Sequence, residues 1–158
     1  MPRATGLSAN MAAFLDCIAW SEIGPDLLPL TDDGYAALVG ATPDNPLTFP
    51  SYATHPDILN QALDSTACGR YQIIHPTFVG LCQQYGYTDF EPATQDAMAV
   101  KLIAGRRAMP FVEAGNFTQA VALCAPEWAS LPGSLAGQPQ QRLARLQAAY
   151  VAAGGTVT

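Results

Sequence analysis

Residues 11–25, MAAFLDCIAWSEIGP, hold the pattern around which the rest of the chain can be organised. Met11, Phe14, Leu15 and Ile18 recur at helical spacing as one apolar stripe. Gly24-Pro25 ends it, because proline has no N–H to donate and forces the residue before it out of the α region. The spacing predicts a first helix over Met11–Ile23, with Asn10 placed to cap it. The next position on the stripe is Glu22. A carboxylate there is disfavoured when ionised, both by loss of water and by the negative end of the helix dipole, so its pKa is expected to rise. Such a group is suited to giving up a proton near neutral pH. The competing reading is that Glu22 turns outward where the helix ends.

Downstream of this helix the pattern changes. Tyr35–Val39, Leu47–Tyr52 and Arg70–Ile74 are short β-prone runs, separated by turn chemistry such as Pro43-Asp44-Asn45-Pro46, and they predict a small antiparallel sheet. Thr54–Ala62 reads as a polar loop or a short helical turn. Pro76 then stands at a first helical turn with Phe78, Leu81, Cys82 and Tyr85 on one face and Gly86 beyond it. Pro92 opens a helix that ends near Gly105, Asn116 caps another over Phe117–Cys124, Trp128–Pro139 is a loop, and a last helix over Pro139–Ala153 stops at Gly154. Helix, small sheet and several helices make an α+β fold, expected as a single domain over residues 1–158.

Composition narrows the function. Seven Lys and Arg against thirteen Asp and Glu give a net charge of −6 in 158 residues, which excludes a nucleic-acid binder that works by counterion release. A hydrophobic content of 49% with 13% charged residues excludes a disordered chain. No apolar run reaches the roughly 18 residues of a membrane span, so no direct membrane insertion is expected. The four cysteines (Cys17, Cys68, Cys82, Cys124) lack metal-ligand spacing, and no metal or cofactor is expected. Eight of the thirteen acids, and no Lys or Arg, lie between Arg3 and Arg70. The negative field of that stretch is expected to help keep Glu22 protonated.

Other side chains could accompany an acid at Glu22. Asp26, Asp32 and Asp33 follow it as candidate second carboxylates for glycoside hydrolysis, or as solvated turn residues. In Gly69-Arg70-Tyr71-Gln72 the alternation of a strand sends Tyr71 and Gln72 to opposite faces. Gln72 can donate to and accept from a sugar, and Tyr71 offers a ring for stacking, unless both serve sheet packing. Trp128 is a core residue or a sugar platform. His55 and His75 each precede a proline and read as loop or helix-entry residues.

The ordered set Ala19-Trp20-Ser21-Glu22, Gly34-Tyr35, Tyr52 with His55-Pro56, Ser65-Thr66, Gly69-Arg70-Tyr71-Gln72, Gln95-Asp96-Ala97, Trp128-Ala129-Ser130-Leu131-Pro132-Gly133 and Gly154-Gly155-Thr156-Val157 resembles the lambda-type phage endolysins over nearly the whole chain. The resemblance implies a lysozyme-like α+β fold, with a substrate cleft between a mostly helical lobe and a small antiparallel sheet lobe. Lytic transglycosylation at the β-1,4 bond between N-acetylmuramic acid and N-acetylglucosamine of peptidoglycan is the implied activity. Glu22 stands at the catalytic position, and Tyr52, His55, Arg70, Tyr71, Gln72 and Trp128 are candidates for contact with the glycan strand. Two lips should border the cleft, around His55–Gln61 and Leu131–Pro139.

A peptidoglycan hydrolase using Glu22 with Asp32 or Asp33 ranks second, because the hydrolytic phage lysozymes have a Thr six residues after their Asp and here those positions are Leu38 and Val39. A non-catalytic glycan-binding module is the third reading. With no signal-peptide pattern at the N-terminus, the protein is expected to accumulate as a monomer in the host cytoplasm. It would reach the cell wall after a holin permeabilises the membrane.

Overall fold

The computed structural model describes residues 1–133 and 143–158. Its first helix, α1, runs Ala9–Glu22 and is capped by Ser8, whose extended backbone lets its hydroxyl accept the Met11 N–H at 3.0 Å. Asn10, the expected cap, already lies inside the helix. Its side chain instead ties two distant segments to α1, donating to the Glu113 carbonyl and accepting the Thr156 N–H. Six further helices or helical turns follow: a 3₁₀ turn at Leu28–Leu30, α2 (His75–Tyr85), α3 (Pro92–Gly105), α4 (Met109–Glu113), α5 (Phe117–Cys124) and α6 (Leu143–Ala152). Prolines in the first turns of α2 and α3, left-handed Gly86 after α2 and the Asn116 side chain before α5 set these boundaries as the sequence predicts. The predicted start of the last helix, at Pro139, lies outside the described residues.

α1 is the centre of the helical core. Met11, Ala13, Phe14, Leu15, Cys17, Ile18 and Ala19 are all buried, so nearly every side of the helix is covered, as befits a helix apolar around most of its circumference. α6 and α4 pack on it. Phe14 of α1, Phe117 of α5 and Tyr150 of α6 meet in a cluster with ring centroids 4.8 to 6.4 Å apart.

The expected small antiparallel sheet is not formed. No strand occurs among the described residues; residues 37–73 hold five isolated antiparallel bridges instead, including Ala37 with Thr48, Leu38 with Cys68, and Cys68 with Ile73. Residues 36–39 do lie between 47–49 and 67–69, joined by single hydrogen bonds such as Phe49 N–H to Ala36 and Val39 N–H to Ala67, both at 3.0 Å. A ladder cannot lengthen from them. Gly40, Asp64, Gly69 and Gln72 have positive φ and turn the chain near the Leu38–Cys68, Asn60–Ser65 and Cys68–Ile73 bridges, and Pro46 and Pro50 flank the 47–49 pass without an N–H to donate.

The turn at 69–72 is fixed by a buried polar pair from α3. An added Cβ on Gly69 would lie 2.3 Å from the Gln95 side-chain oxygen, so only glycine fits. That oxygen accepts the Arg70 N–H at 3.0 Å, while the Gln95 amide donates to the carbonyls of Tyr35 and Phe90. Beside it, fully buried Asp96 accepts four hydrogen bonds, from the hydroxyls of Tyr35 and Tyr71 and the N–H groups of Arg3 and Ala4. α3 thus holds the chain's N-terminal segment, the residue-35 turn and the residue-70 turn together, which sets one wall of the cleft described next.

Candidate functional site

Glu22, the last residue of α1, stands on the wall of a cavity of about 550 Å³. Val39, Gly40, Leu63, Ser65 and Ala67 contribute one part of this wall; Gln72, Ile74, Glu127, Trp128 and Ala129 contribute another. The helix ends here because Ile23 and left-handed Gly24 close it, so the stripe position of Glu22 becomes a position at a cavity. Ser130 holds the carboxyl in place. Its hydroxyl donates to Glu22 Oε1 at 2.5 Å and its N–H to the same oxygen at 3.4 Å, while the Ser21 hydroxyl donates to the Ser130 carbonyl at 3.2 Å. Two adjacent residues of α1 therefore clamp a single loop residue.

Burial raises the Glu22 pKa, and the two Ser130 hydrogen bonds oppose the rise without cancelling it. The negative field expected from residues 16–64 is not among the causes. The nearby acids of that stretch are already compensated: Asp16 and Asp33 by Arg70 and the N-terminal ammonium, Asp32 by Arg3.

The other candidate residues separate into two groups. Gln72 and Trp128 share the cavity with Glu22. Gln72 reaches it from a left-handed turn rather than a strand, with its amide donating to the Gly69 carbonyl. Trp128 is only 3% exposed, and its indole N–H donates to the Tyr71 carbonyl at 3.0 Å, so it ties the Ser130 loop to the 69–72 turn. Tyr71 is 1% exposed with its hydroxyl on Asp96, leaving no ring face for a sugar. Arg70 is buried against Asp16 and Asp33.

The remaining two are spoken for within the protein. Tyr52 donates to Asp32 at 2.6 Å. His55 is buried, with Nδ1 accepting the Asp57 N–H and Nε2 beside the Ile73 carbonyl at 2.8 Å, an arrangement that requires the neutral Nε2–H tautomer; burial lowers its pKa accordingly. Neither Asp32 nor Asp33 is on the cavity wall. Of the two expected lips, Leu131–Pro139 lies largely outside the described residues, and the other carries exposed Ile58 and Leu59.

Two residues that the sequence reading did not single out matter here. Ser130 lies 108 residues from its partner, and the sequence marks it only as one position of the Trp128–Gly133 stretch. Glu127 places a second carboxyl on the cavity wall, where its Oε2 takes two hydrogen-bonded contacts from Arg106, at 2.9 and 2.8 Å. No helix among the described residues is long and apolar enough to cross a membrane, and no cluster of three or more metal-ligating side chains occurs among them.

A central helix ending in a half-buried acid at a cleft, inside this helical frame, defines the lysozyme-like class of enzymes that degrade cell walls. Two solved structures of bacteriophage lambda lysozyme share the fold at 36% identity over 98% of this chain and 99% of theirs: one in complex with a chitohexasaccharide, with a TM-score of 0.87, and one with a TM-score of 0.83. The family model for Endolysin matches residues 12–157, and the chain belongs to the endolysin family. It is 39% identical over 150 residues to the endolysin of Escherichia phage lambda, covering 92% of this chain and 91% of that one. It is 37% identical over 155 residues to the endolysin of Escherichia phage P2, covering 92% and 93%.

Proposed function

We propose that the protein is a peptidoglycan lytic transglycosylase with Glu22 as its catalytic acid and base. The observation that supports it is a carboxyl at the cleft whose pKa is raised by burial, with Asp32 and Asp33 off the cavity wall and Glu127 paired with Arg106. Protonated Glu22 gives its proton to the glycosidic oxygen as the bond from C1 of N-acetylmuramic acid breaks with oxocarbenium character. The resulting carboxylate takes the proton of the same sugar's 6-hydroxyl, whose oxygen closes on C1. The proton count returns to its start and no water is consumed, so the product ends in a 1,6-anhydro sugar. An attached nucleophile has a high effective concentration and needs no second carboxylate to activate water.

The carboxylates a hydrolase would need are poorly disposed. Asp32 and Asp33 are off the cavity wall, and Glu127 is held by Arg106. Gln72 is the side chain we assign to hydrogen bonding with the glycan. The chitohexasaccharide bound by the lambda lysozyme supports a glycan strand as the occupant of the cleft. Action on the wall would follow permeabilisation of the host membrane by a holin, with the monomer as the working unit.

Mass spectrometry of digested peptidoglycan tests the reaction. Muramic-acid products one water lighter than their hydrolytic counterparts are expected, and products at the hydrolytic mass would make the protein a hydrolase. Glu22→Gln should retain glycan binding and lose cleavage; a fully active Glu22→Gln variant removes Glu22 from the chemistry.

A further inference from the structure

Beyond the Glu22 cleft the cavity has an annex of a different character. A hollow of about 130 Å³ shares Gln72, Ile74, Glu127 and Trp128 with the cleft, and a further one of about 290 Å³ shares Leu102 and Glu127 with that hollow. Glu127 is therefore the common corner of three adjoining spaces. The far space is lined by Lys101 and Arg106 together with Gln84 and Tyr85. Lys101 is held toward it, its Nζ 4.7 Å from the centre of the Tyr85 ring. In a chain of net charge −6, three of the seven cationic residues fall within positions 101–107, and two of those three line this space. The annex thus carries a net positive charge in an otherwise acidic molecule, and it adjoins the Glu22 cleft through shared wall residues.

We propose that this annex is a subsite for the carboxylate-bearing peptide branch of peptidoglycan, with Lys101 and the Arg106–Glu127 pair as its polar contacts. The inference rests on the peptidoglycan reading above. In the intact strand the lactyl carboxyl of muramic acid is bound in the amide to the peptide, so the glycan backbone has no charge with which to engage a lysine and an arginine. The peptide attached through the lactyl ether of muramic acid does, because it carries free carboxylates and branches away from the strand. A side space adjoining the cleft and lined by cations matches both that branching and that charge. Glu127, paired with Arg106 at the corner, sets a like charge against carboxylates that would otherwise lodge beside Glu22.

The test compares two soluble substrates at fixed ionic strength: uncrosslinked glycan strands bearing their peptides, and the same strands after an amidase has removed the peptides and left only the lactyl carboxylate close to the sugar ring. Lys101 is exposed and can be changed without disturbing the core. Lys101→Glu should raise the ratio of KM on peptide-bearing strands to KM on bare strands by about three- to tenfold. Lys101→Arg should restore the ratio, and Arg145→Glu, the same charge change at an exposed site over Trp20, should leave it at the unmodified value. A ratio unmoved by Lys101→Glu, or moved equally by Arg145→Glu, overturns the subsite. If the unmodified protein cuts both strands and the ratio does not move, the subsite alone is wrong. If it cuts neither, the transglycosylase reading falls and the subsite with it.

Discussion

Replacing Ser130 with alanine isolates the force that opposes the raised pKa of Glu22. In the folded protein burial favours the protonated carboxyl, and the Ser130 hydroxyl, 2.5 Å from Oε1, favours the carboxylate. A hydrogen bond to a charged acceptor contributes about 1.5–3 kcal/mol. Its loss leaves burial less opposed and Glu22 still more reluctant to ionise. The proton donor then survives to higher pH, so the alkaline limb of kcat/KM moves upward. At a fixed pH on that limb, activity relative to the acid plateau should rise by about 10- to 100-fold. On the plateau itself Glu22 is already protonated, and the substitution changes the rate little because the lost bond acted mainly on the charged form. The assay is the pH dependence of turbidity loss by permeabilised cells, paired with a carboxyl-carbon NMR titration of Glu22. An alkaline limb that stays in place or moves down would refute the assignment of Ser130 as the group that holds the acidity of Glu22 in check.

Glu22→Gln should stabilise the protein above the window in which Glu22 loses its proton. The folded carboxyl has the higher pKa, so the folded state binds the extra proton there and native stability falls as pH rises through that window. The glutamine variant carries no such penalty. Its melting temperature should exceed that of the unmodified protein by about 2–4 °C for each kcal/mol removed, and the two should converge at acid pH; equal values at all pH would show that burial does not strain the charged form. Asp96→Asn puts an NH2 where four donors converge. It should cost on the order of 3 kcal/mol, lowering the melting temperature by about 10 °C in calorimetry, and a drop of less than about 2 °C would show that the cluster adapts.

The helical frame was legible because its signals are local. Prolines opening α2 and α3, glycine closing α2 and asparagine capping α5 act within a turn or two of themselves, and the stripe that ends in Glu22 is a property of fourteen consecutive residues. Residues 34–74 defeated the same reasoning. Their β-prone runs do pair, but the glycines, prolines and left-handed residues between them stop every ladder after one bridge. The site divides in the same way. The stripe position of Glu22 is legible from periodicity, whereas Ser130 reaches it from 108 residues away and Glu127 is paired with Arg106, 21 residues before it. Tyr71 and Arg70 show the reverse error. Their motif is distinctive because Asp96, Asp16 and Asp33 require it for architecture, not because the side chains face the cleft.

The clamp of Ser21 and Glu22 on Ser130 also orders events in the making of the protein. The proposed catalytic residue, Glu22, is synthesised near the start of the chain, yet its burial against Ser130 and its hydrogen bond come from a loop more than a hundred residues later. Until that loop docks, Glu22 is a peptide carboxylate in water with ordinary acidity. A nascent or prematurely ended chain therefore carries Glu22 without the setting that tunes its acidity, and under the proposed mechanism competence to cut a wall appears only when the late segment closes on the early one.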